Sequence, residues 1–256
     1  VGIDCIAMNV NDLVAAGVRP VAFVDYLAVD EPDERFAEQV GEGLARGADL
    51  ATMELVGGET AVMPEVIRGL DLAGTCAGLA AKGAVFDGEA RAGDALVGWE
   101  SSGIHSNGLT LAREAVTRNH AYTDPCPFDG YESVGEALLE PTRIYADLLG
   151  PMRDHGVRAA AHVTGGGWTN LTRLGEHRYA VENAFDPQPV FGFVQSGGSV
   201  SDDEMHRTFN MGTGFVAAID PEAAESLAAE TGGRVIGRVE DRDGDGGSVA
   251  VRGLEL

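Results

Sequence analysis

DCIAMNVNDLVAAGVRPVAFVDYLAV, residues 4–29, carries both periodicities that recur along the chain. Residues 4–18 read as a helix, with Ile6, Val10, Leu13 and Val14 on one side and Gly17 then Pro20 to end it. Residues 21–29, VAFVDYLAV, follow almost without polar relief, the pattern of a strand buried on both faces. Outward from there, residues 33–47 predict a second helix, with Phe36, Val40 and Leu44 inward. LVGGET (55–60) reads as a short strand entering a glycine turn, and 70–86 as a long β segment.

FDGEARAGD (86–94) is a turn of glycine and charge and marks the domain boundary, giving domains 1–92 and 93–256. Beyond it, DALVGW reads as a strand, and 107–116 and 141–156 as helices. AAAHVTGGG (159–167) is a small-residue strand ending in three glycines. Ser201 with Glu204 forms a capping box, and Asp220-Pro221 starts a helix over 221–230. The final stretch reads as two strands around an acidic turn. Helices and strands alternate without a simple βα repeat, so the class is α/β (or α+β) in two domains.

The 41 Asp and Glu against 18 basic residues give a net charge of -23, and Lys82 is the sole lysine. Phosphate backbones need a basic footprint, so no nucleic-acid partner is expected, nor an anionic membrane surface. No apolar run reaches the roughly 18–20 residues of a membrane span, and the three cysteines have no CxxC spacing. A cytoplasmic, reducing setting is expected. Val1 opens the chain without a leader pattern, consistent with a lost true start.

Chemistry concentrates in a few places. Asn11-Asp12 sits mid-helix, where Asp is a poor helix former; a solvated face and a functional site both explain it. Gly57-Gly58-Glu59-Thr60 follows a strand: paired glycines let backbone approach a phosphate, and Glu59 is a candidate Mg²⁺ ligand, a plain turn being the alternative. There is no Walker sequence and no strand–GxGxxG–helix. SSGIHSNG (101–108) joins a strand to a helix and offers N–H groups to an anion, although Ser106 or Asn107 also suits a plain helix cap. His162-Val163-Thr164-Gly165-Gly166-Gly167 spends three glycines after a buried strand, which favours close approach to a ligand. Asp241, Asp243, Asp245 and Gly246 imitate a calcium loop, but Arg252 stands where the bidentate Glu belongs, so a hairpin turn is expected.

NDLVAAGVRP (11–20) resembles the D-x4-G-x-x-P signature of a superfamily of ATP-dependent synthetases and kinases. Within it, FVDYLAV (23–29), LVGGETAVMPE (55–65), SSGIHSNGLTL (101–111), EPTRIY (140–145), HVTGGGWTN (162–170) and RTFNMGTGF (207–215) resemble the aminoimidazole ribonucleotide synthetase family, in its order and at similar spacing. The resemblance implies two α/β domains with an active site in the cleft between them, and homodimers joined through the first domains. It implies ATP-dependent cyclisation of formylglycinamidine ribonucleotide in purine synthesis, with Mg²⁺. Asp12 and Glu59 would hold the metal; Asn11, Asp12, Gly57, Gly58, Glu59 and Thr60 would meet ATP. Ser106, Asn107, Thr164, Gly165, Gly166 and Gly167 would meet substrate, Arg143 would clamp an anion, and His105 and His162 would transfer protons. The family's DGVGTK strand motif, ahead of the point where Val1 stands, is missing; a fragment that binds nucleotide weakly and does not turn over is expected. Another enzyme of the superfamily, or a non-catalytic ATP-binding or dimerisation module, are the alternatives, and PTRIY and FNMG argue against the former.

The acidity itself has a reading. Dense carboxylates keep a protein soluble where salt screens ordinary repulsion, which suits a halophilic source. The melting midpoint is therefore expected to rise as KCl goes from low to molar; a midpoint that falls would sink the idea.

Overall fold

The structure is a computed structural model, and it describes residues 1–256 except Asp243 and Asp245. The calcium-loop likeness thus lies in part outside the described residues. The chain divides into two compact units: Val1–Val85 with Ile144–Leu149, and Phe86–Arg143 with Gly150–Leu256. The first is built from α1 (Gly2–Ala15), β1 (Arg19–Val29), α2 (Glu34–Ala51), β2 (Glu54–Val62) and β3 (Leu70–Leu79). Its sheet has the order β2-β1-β3, with β1 parallel to β2 and antiparallel to β3.

The apolar stripes make the helices pack. Ile6, Val10 and Val14 of α1 are buried, and a Cβ on Gly47 of α2 would stand 2.9 Å from Ile6, so the two helices touch closely. Asp33 caps α2 by accepting from Phe36 N–H at 3.0 Å. Phe23 and Leu27 of β1 are buried, whereas Val24 is 41% and Tyr26 40% exposed. One face of β1 is therefore covered and the other open, where the sequence predicted burial on both. An apolar run looks the same whether both faces lie inside this unit or one stays uncovered.

Two further expectations change here. β2 continues through Gly57 and Gly58 to Val62 instead of turning, because the glycines pair with Val24 and Asp25 of β1. Residues 141–156 do not form one helix: a 3-10 turn, Ala146–Leu148, precedes a short α5, Leu149–Asp154. Tertiary contact overrides local propensity there. The amide of Tyr145, a fully buried residue, donates to Asn11 Oδ1 at 2.9 Å, which anchors this returning segment on α1.

The second unit holds β4 (Ala95–Glu100), α3 (Leu109–Thr117), α4 (Val134–Leu138), most of α5, β5 (Ala159–His162), a 3-10 stretch Gly167–Leu174, β6 (Arg178–Val181), α6 (Pro189–Gly198), α7 (Asp202–Thr208), β7 (Thr213–Ile219), α8 (Pro221–Thr231), β8 (Arg234–Glu240), β9 (Ser248–Val251) and β10 (Leu254–Glu255). Residues 86–92 go with this unit because Gly88 N–H bonds Arg158 O and Ala90 N–H bonds Leu174 O. Its seven-stranded sheet runs β10-β9-β6-β8-β4-β7-β5. The last two long strands are thus no hairpin: β6 lies between β8 and β9, parallel to β9. Every residue of β7 is buried. One side of the sheet packs into a core with Trp168, Leu171, Tyr179, Phe191 and Phe209; on the other, Trp99 of β4 donates to Thr231 of α8 at 2.9 Å. Among the described residues, no helix is long and apolar enough to cross a membrane.

α8 begins as its Asp-Pro predicts. Asp220 accepts from Glu222 N–H and from Arg158 Nη2, each at 3.1 Å. The backbone amide first, and Arg158 second, hold its carboxyl below the usual aspartate range. A depressed folded pKa contributes stability above the unfolded value of about 3.9, and the contribution is lost as pH falls through the folded value. Asp220→Ala should therefore lower the Tm at pH 7, with the gap to wild type closing as the pH falls below the usual aspartate range. A gap of equal size across that range would show that the carboxylate charge is not its source.

Candidate active site

β7 is antiparallel to both β4 and β5, with Glu100 opposite Thr213 and His162 opposite Phe215. The C-terminal ends of β4 and β5 and the N-terminal end of β7 therefore share one edge of the sheet. The loops 101–108, 163–167 and 207–212 leave or enter there, and 140–143 joins them. Ser102 Oγ donates to Pro141 O at 2.6 Å, and the hydroxyls of Ser106 and Thr142 lie 3.1 Å apart. The rings of His105 and His162 stand 6.4 Å apart, and His162 stacks at 6.5 Å on Phe215. Arg143 donates through Nη1 to Glu100 O at 3.3 Å.

The loops are held from inside. His105 has φ +62°, a backbone region uncommon for a residue with a Cβ, and its Nε2 accepts from Ser102 N–H at 3.1 Å. That bond places the proton of the neutral ring on Nδ1. His105 and His162 are each 3% exposed. Thr164 donates from its N–H to Asn170 Oδ1 at 2.7 Å, and its Oγ is 3.2 Å from the same oxygen. Asn210 Nδ2 donates to Gly103 O at 2.9 Å and Ile104 O at 3.4 Å, while its Oδ1 accepts from Gly212 N–H at 2.9 Å. Asn170 and Asn210 escaped the sequence reading; each stands inside a motif stretch, but nothing in one sequence distinguishes a buried amide there from an exposed one.

The three glycines differ in kind. Gly167 has φ +51°, and a Cβ on it would overlap His206 O. A Cβ on Gly166 would meet Asn170 Nδ2 at 2.5 Å. Packing inside the unit accounts for both. Gly165 is exposed, and a Cβ there would meet Asn107 Oδ1 at an ordinary 3.4 Å. Gly165 keeps the ligand-facing expectation and stands beside Asn107.

In the first unit, Asp12 lies exposed on α1, and Gly57, Gly58, Glu59 and Thr60 lie exposed along β2. Asn11 is buried beside Asp12 and bonds Tyr145. Asp25, opposite Gly58 in the register, has its carboxylate against Gly58, where a Cβ would overlap it. It faces α1: burial first, and the Asp25 charge second, push the Cys5 thiol of that helix up to about 11. Alternation along β2 sends Glu59 to the side of its partner Tyr26, away from α1. Asp25 is thus the carboxylate on the α1 side of the sheet; its signal in the sequence was a lone acid in an apolar strand. Among the described residues no group of three or more His, Cys, Asp or Glu could hold a metal. A Mg²⁺ bound through one or two carboxylates, phosphates and water does not require one, so the donors present fit that ion.

Gly167→Ala should destabilise by about 1–3 kcal/mol, the range for forcing an atom into a packed site. Gly165→Ala should leave the Tm unchanged. Melting curves of the two variants check the contrast; equal losses would mean that Gly165 too is a packing glycine.

Comparison with known proteins follows the same two units. The N-terminal domain of AIR synthase related proteins matches residues 1–80, and the C-terminal domain matches 91–250. A phosphoribosylformylglycinamidine cyclo-ligase of Methanosarcina acetivorans is 48% identical over 241 residues, 93% of this chain and 72% of that protein. That of Methanococcoides burtonii is 44% identical over 258 residues, 100% of this chain and 76% of that protein. Among solved structures, the hydrogenase maturation protein HypE in complex with ATP superposes with a TM-score of 0.71 at 19% identity, covering 100% of this chain and 78% of that one. Thiamine monophosphate kinase from Aquifex aeolicus gives 0.69 at 19%, covering 100% and 81%. At such identities the two structures share the fold alone. The long, close match to the cyclo-ligases, with both domain types in order, means that the chain belongs to the phosphoribosylformylglycinamidine cyclo-ligase family of AIR synthase related proteins.

Proposed function

We propose that this protein closes the imidazole ring of aminoimidazole ribonucleotide, converting formylglycinamidine ribonucleotide and ATP to product, ADP and phosphate in purine synthesis. The γ-phosphoryl group moves to the formyl oxygen, which is otherwise a poor leaving group. A nitrogen of the same substrate attacks the formyl carbon, the C–O bond breaks, phosphate departs, and the nitrogen gives up its proton. The nucleophile is already attached, so the protein chiefly holds a near-attack geometry and stabilises charge on the phosphates.

The meeting of the 101–108, 140–143, 163–167 and 207–212 loops at one sheet edge carries this reading. Ser106, Asn107, Thr164 and Gly165 offer hydroxyl, amide and open backbone to the substrate, with Gly166 and Gly167 shaping the turn. Arg143 supplies a planar fork for an anion. The buried His105 and His162 exchange protons only with a group that reaches inside these loops. In the first unit, Gly57, Gly58 and Thr60 admit the ATP phosphates, Asn11 steadies the helix beside Asp12, and Asp12 would hold Mg²⁺, with Glu59 as its expected partner reaching round from the far side of edge strand β2. The metal would neutralise charge on the transferring phosphoryl group. Asp25, on the α1 side, is the alternative second ligand.

The protein acts as a homodimer in this reading, joined through the open face of the first unit's sheet. Val24, Tyr26 and Leu79 are 40–63% exposed there, an apolar surface that suits a second copy. Its source is halophilic and its compartment the cytoplasm, where the free thiols of Cys5, Cys76 and Cys126 stay reduced.

ADP release that depends on formylglycinamidine ribonucleotide, measured on the complete gene product in molar KCl, tests the function; its absence refutes the reading. Asp12→Ala and Glu59→Ala should each cut ATP-dependent turnover by about 10²–10³, the scale for one electrostatic partner, with little change in Tm. If Asp25→Asn does so and Glu59→Ala does not, the metal sits on the α1 side of the sheet.

A further inference from the structure

We propose that Asn210 is a positioning residue: its buried carboxamide ties the loop before β7 to the loop after β4 and fixes the backbone on which Ser106 and Asn107 meet the substrate. The inference deepens the cyclo-ligase reading and rests on it for the identity of the substrate.

Asn210 is 2% exposed, so it does not itself present an edge to a ligand. Its hydrogen bonding is spent on backbone. Nδ2 donates to Gly103 O at 2.9 Å and Ile104 O at 3.4 Å, and Oδ1 accepts from Gly212 N–H at 2.9 Å. These bonds reach across a separation of 107 residues. The loop after β4 is pinned at its start as well: Ser101 N–H bonds Gly212 O at 3.0 Å, and Gln188 Nε2 donates to Ser101 O at 2.6 Å. The carbonyl of Ile104 belongs to the peptide that leads into His105, whose φ of +62° is the left-handed point of the loop among its non-glycine residues. Holding that peptide plane sets the direction in which the chain leaves His105. The next two residues are Ser106, 3.1 Å from the Thr142 hydroxyl, and Asn107, beside Gly165.

A packing role alone would need only a side chain of the right volume. A carboxamide is required because two carbonyls converge on one side of it and an N–H on the other; no apolar group satisfies all three, and a carboxylate would repel the carbonyls. The loop before β7 thereby determines where the substrate-side loop stands, without contributing an atom to the reaction.

The test compares wild type with Asn210→Ala and Asn210→Asp, the latter keeping Oδ1 for Gly212 while setting an oxygen against Gly103 and Ile104. With folded protein confirmed by circular dichroism, kcat/KM for formylglycinamidine ribonucleotide should fall about 10²-fold in both, the scale of a small misplacement. The KM for ATP should stay within about twofold of wild type, because the nucleotide is read as bound by the first unit. Asn183→Ala, which removes an amide bond to Val235 O elsewhere in the second unit, should change neither. Hydrogen exchange gives a second readout: amides of 102–107 should exchange faster in both Asn210 variants. Equal shifts in the two substrates' parameters, no shift in either, or unchanged exchange at 102–107 would overturn the proposal. Should wild type itself release no ADP with this substrate, the cyclo-ligase reading fails, and exchange at 102–107 alone decides the positioning claim.

Discussion

The arrangement of the second unit depends on the pairing of β7 with β4 on one side and β5 on the other. All seven residues of β7 are buried, so a slip of one residue would turn every side chain to the wrong face. The register is thereby fixed, with Glu100 opposite Thr213 and His162 opposite Phe215. Because β7 opposes both neighbours, β4 and β5 run parallel and end together. Segments far apart in sequence are brought to one edge by backbone hydrogen bonds, before any side chain of the loops takes part.

What happens at that edge is a matter of buried polarity. Thr142, His105, His162, Asn170 and Asn210 are each 3% exposed or less. Removing such groups from water is unfavourable unless they are bonded, and the two asparagines are bonded to loop backbone. A loop bound this way is rigid at its base and open at its tip, which suits a site that must hold one geometry. The first unit is built differently. Its glycine pair lies in an edge strand, its acids stand on two faces of a thin sheet, and its uncovered face exposes Val24, Tyr26 and Leu79.

Local signals were legible where they act locally. Asp220-Pro221 opens α8, Ser201 accepts from Glu204 N–H at the start of α7, and the spacing of Val40 and Leu44 marks the inner face of α2. The ordered motif stretches gave the family, and with it the fold. Long-range events were not legible. Nothing near β8 and β9 says that β6 will lie between them, and nothing in PTRIYADLLG says that Asn11 will capture the Tyr145 amide and undo a helix. The glycine run shows the same limit. Gly165, Gly166 and Gly167 look alike in sequence; only the placing of Asn170, His206 and Asn107 around them separates two packing glycines from one that is exposed.

The charge balance constrains how phosphates are recognised here. With a net charge of -23, the long-range field repels a nucleotide, and high salt would screen it within a few ångströms. The arginines do little to reverse this, because many are committed to carboxylates. Arg158 pairs with Asp94 and Asp220, Arg178 with Glu240 and Glu255, Arg238 with Glu182 and Glu240, and Arg252 with Asp186. Recognition of a triphosphate then has to use donors that act at contact: backbone N–H groups exposed by glycine, and a divalent cation held by acids. Both act over distances shorter than the screening length, so neither is much weakened by salt. An acidic surface and a phosphate-binding site are compatible for that reason: in the proposed reading, the acids that repel a nucleotide at long range would include those that hold its metal at short range.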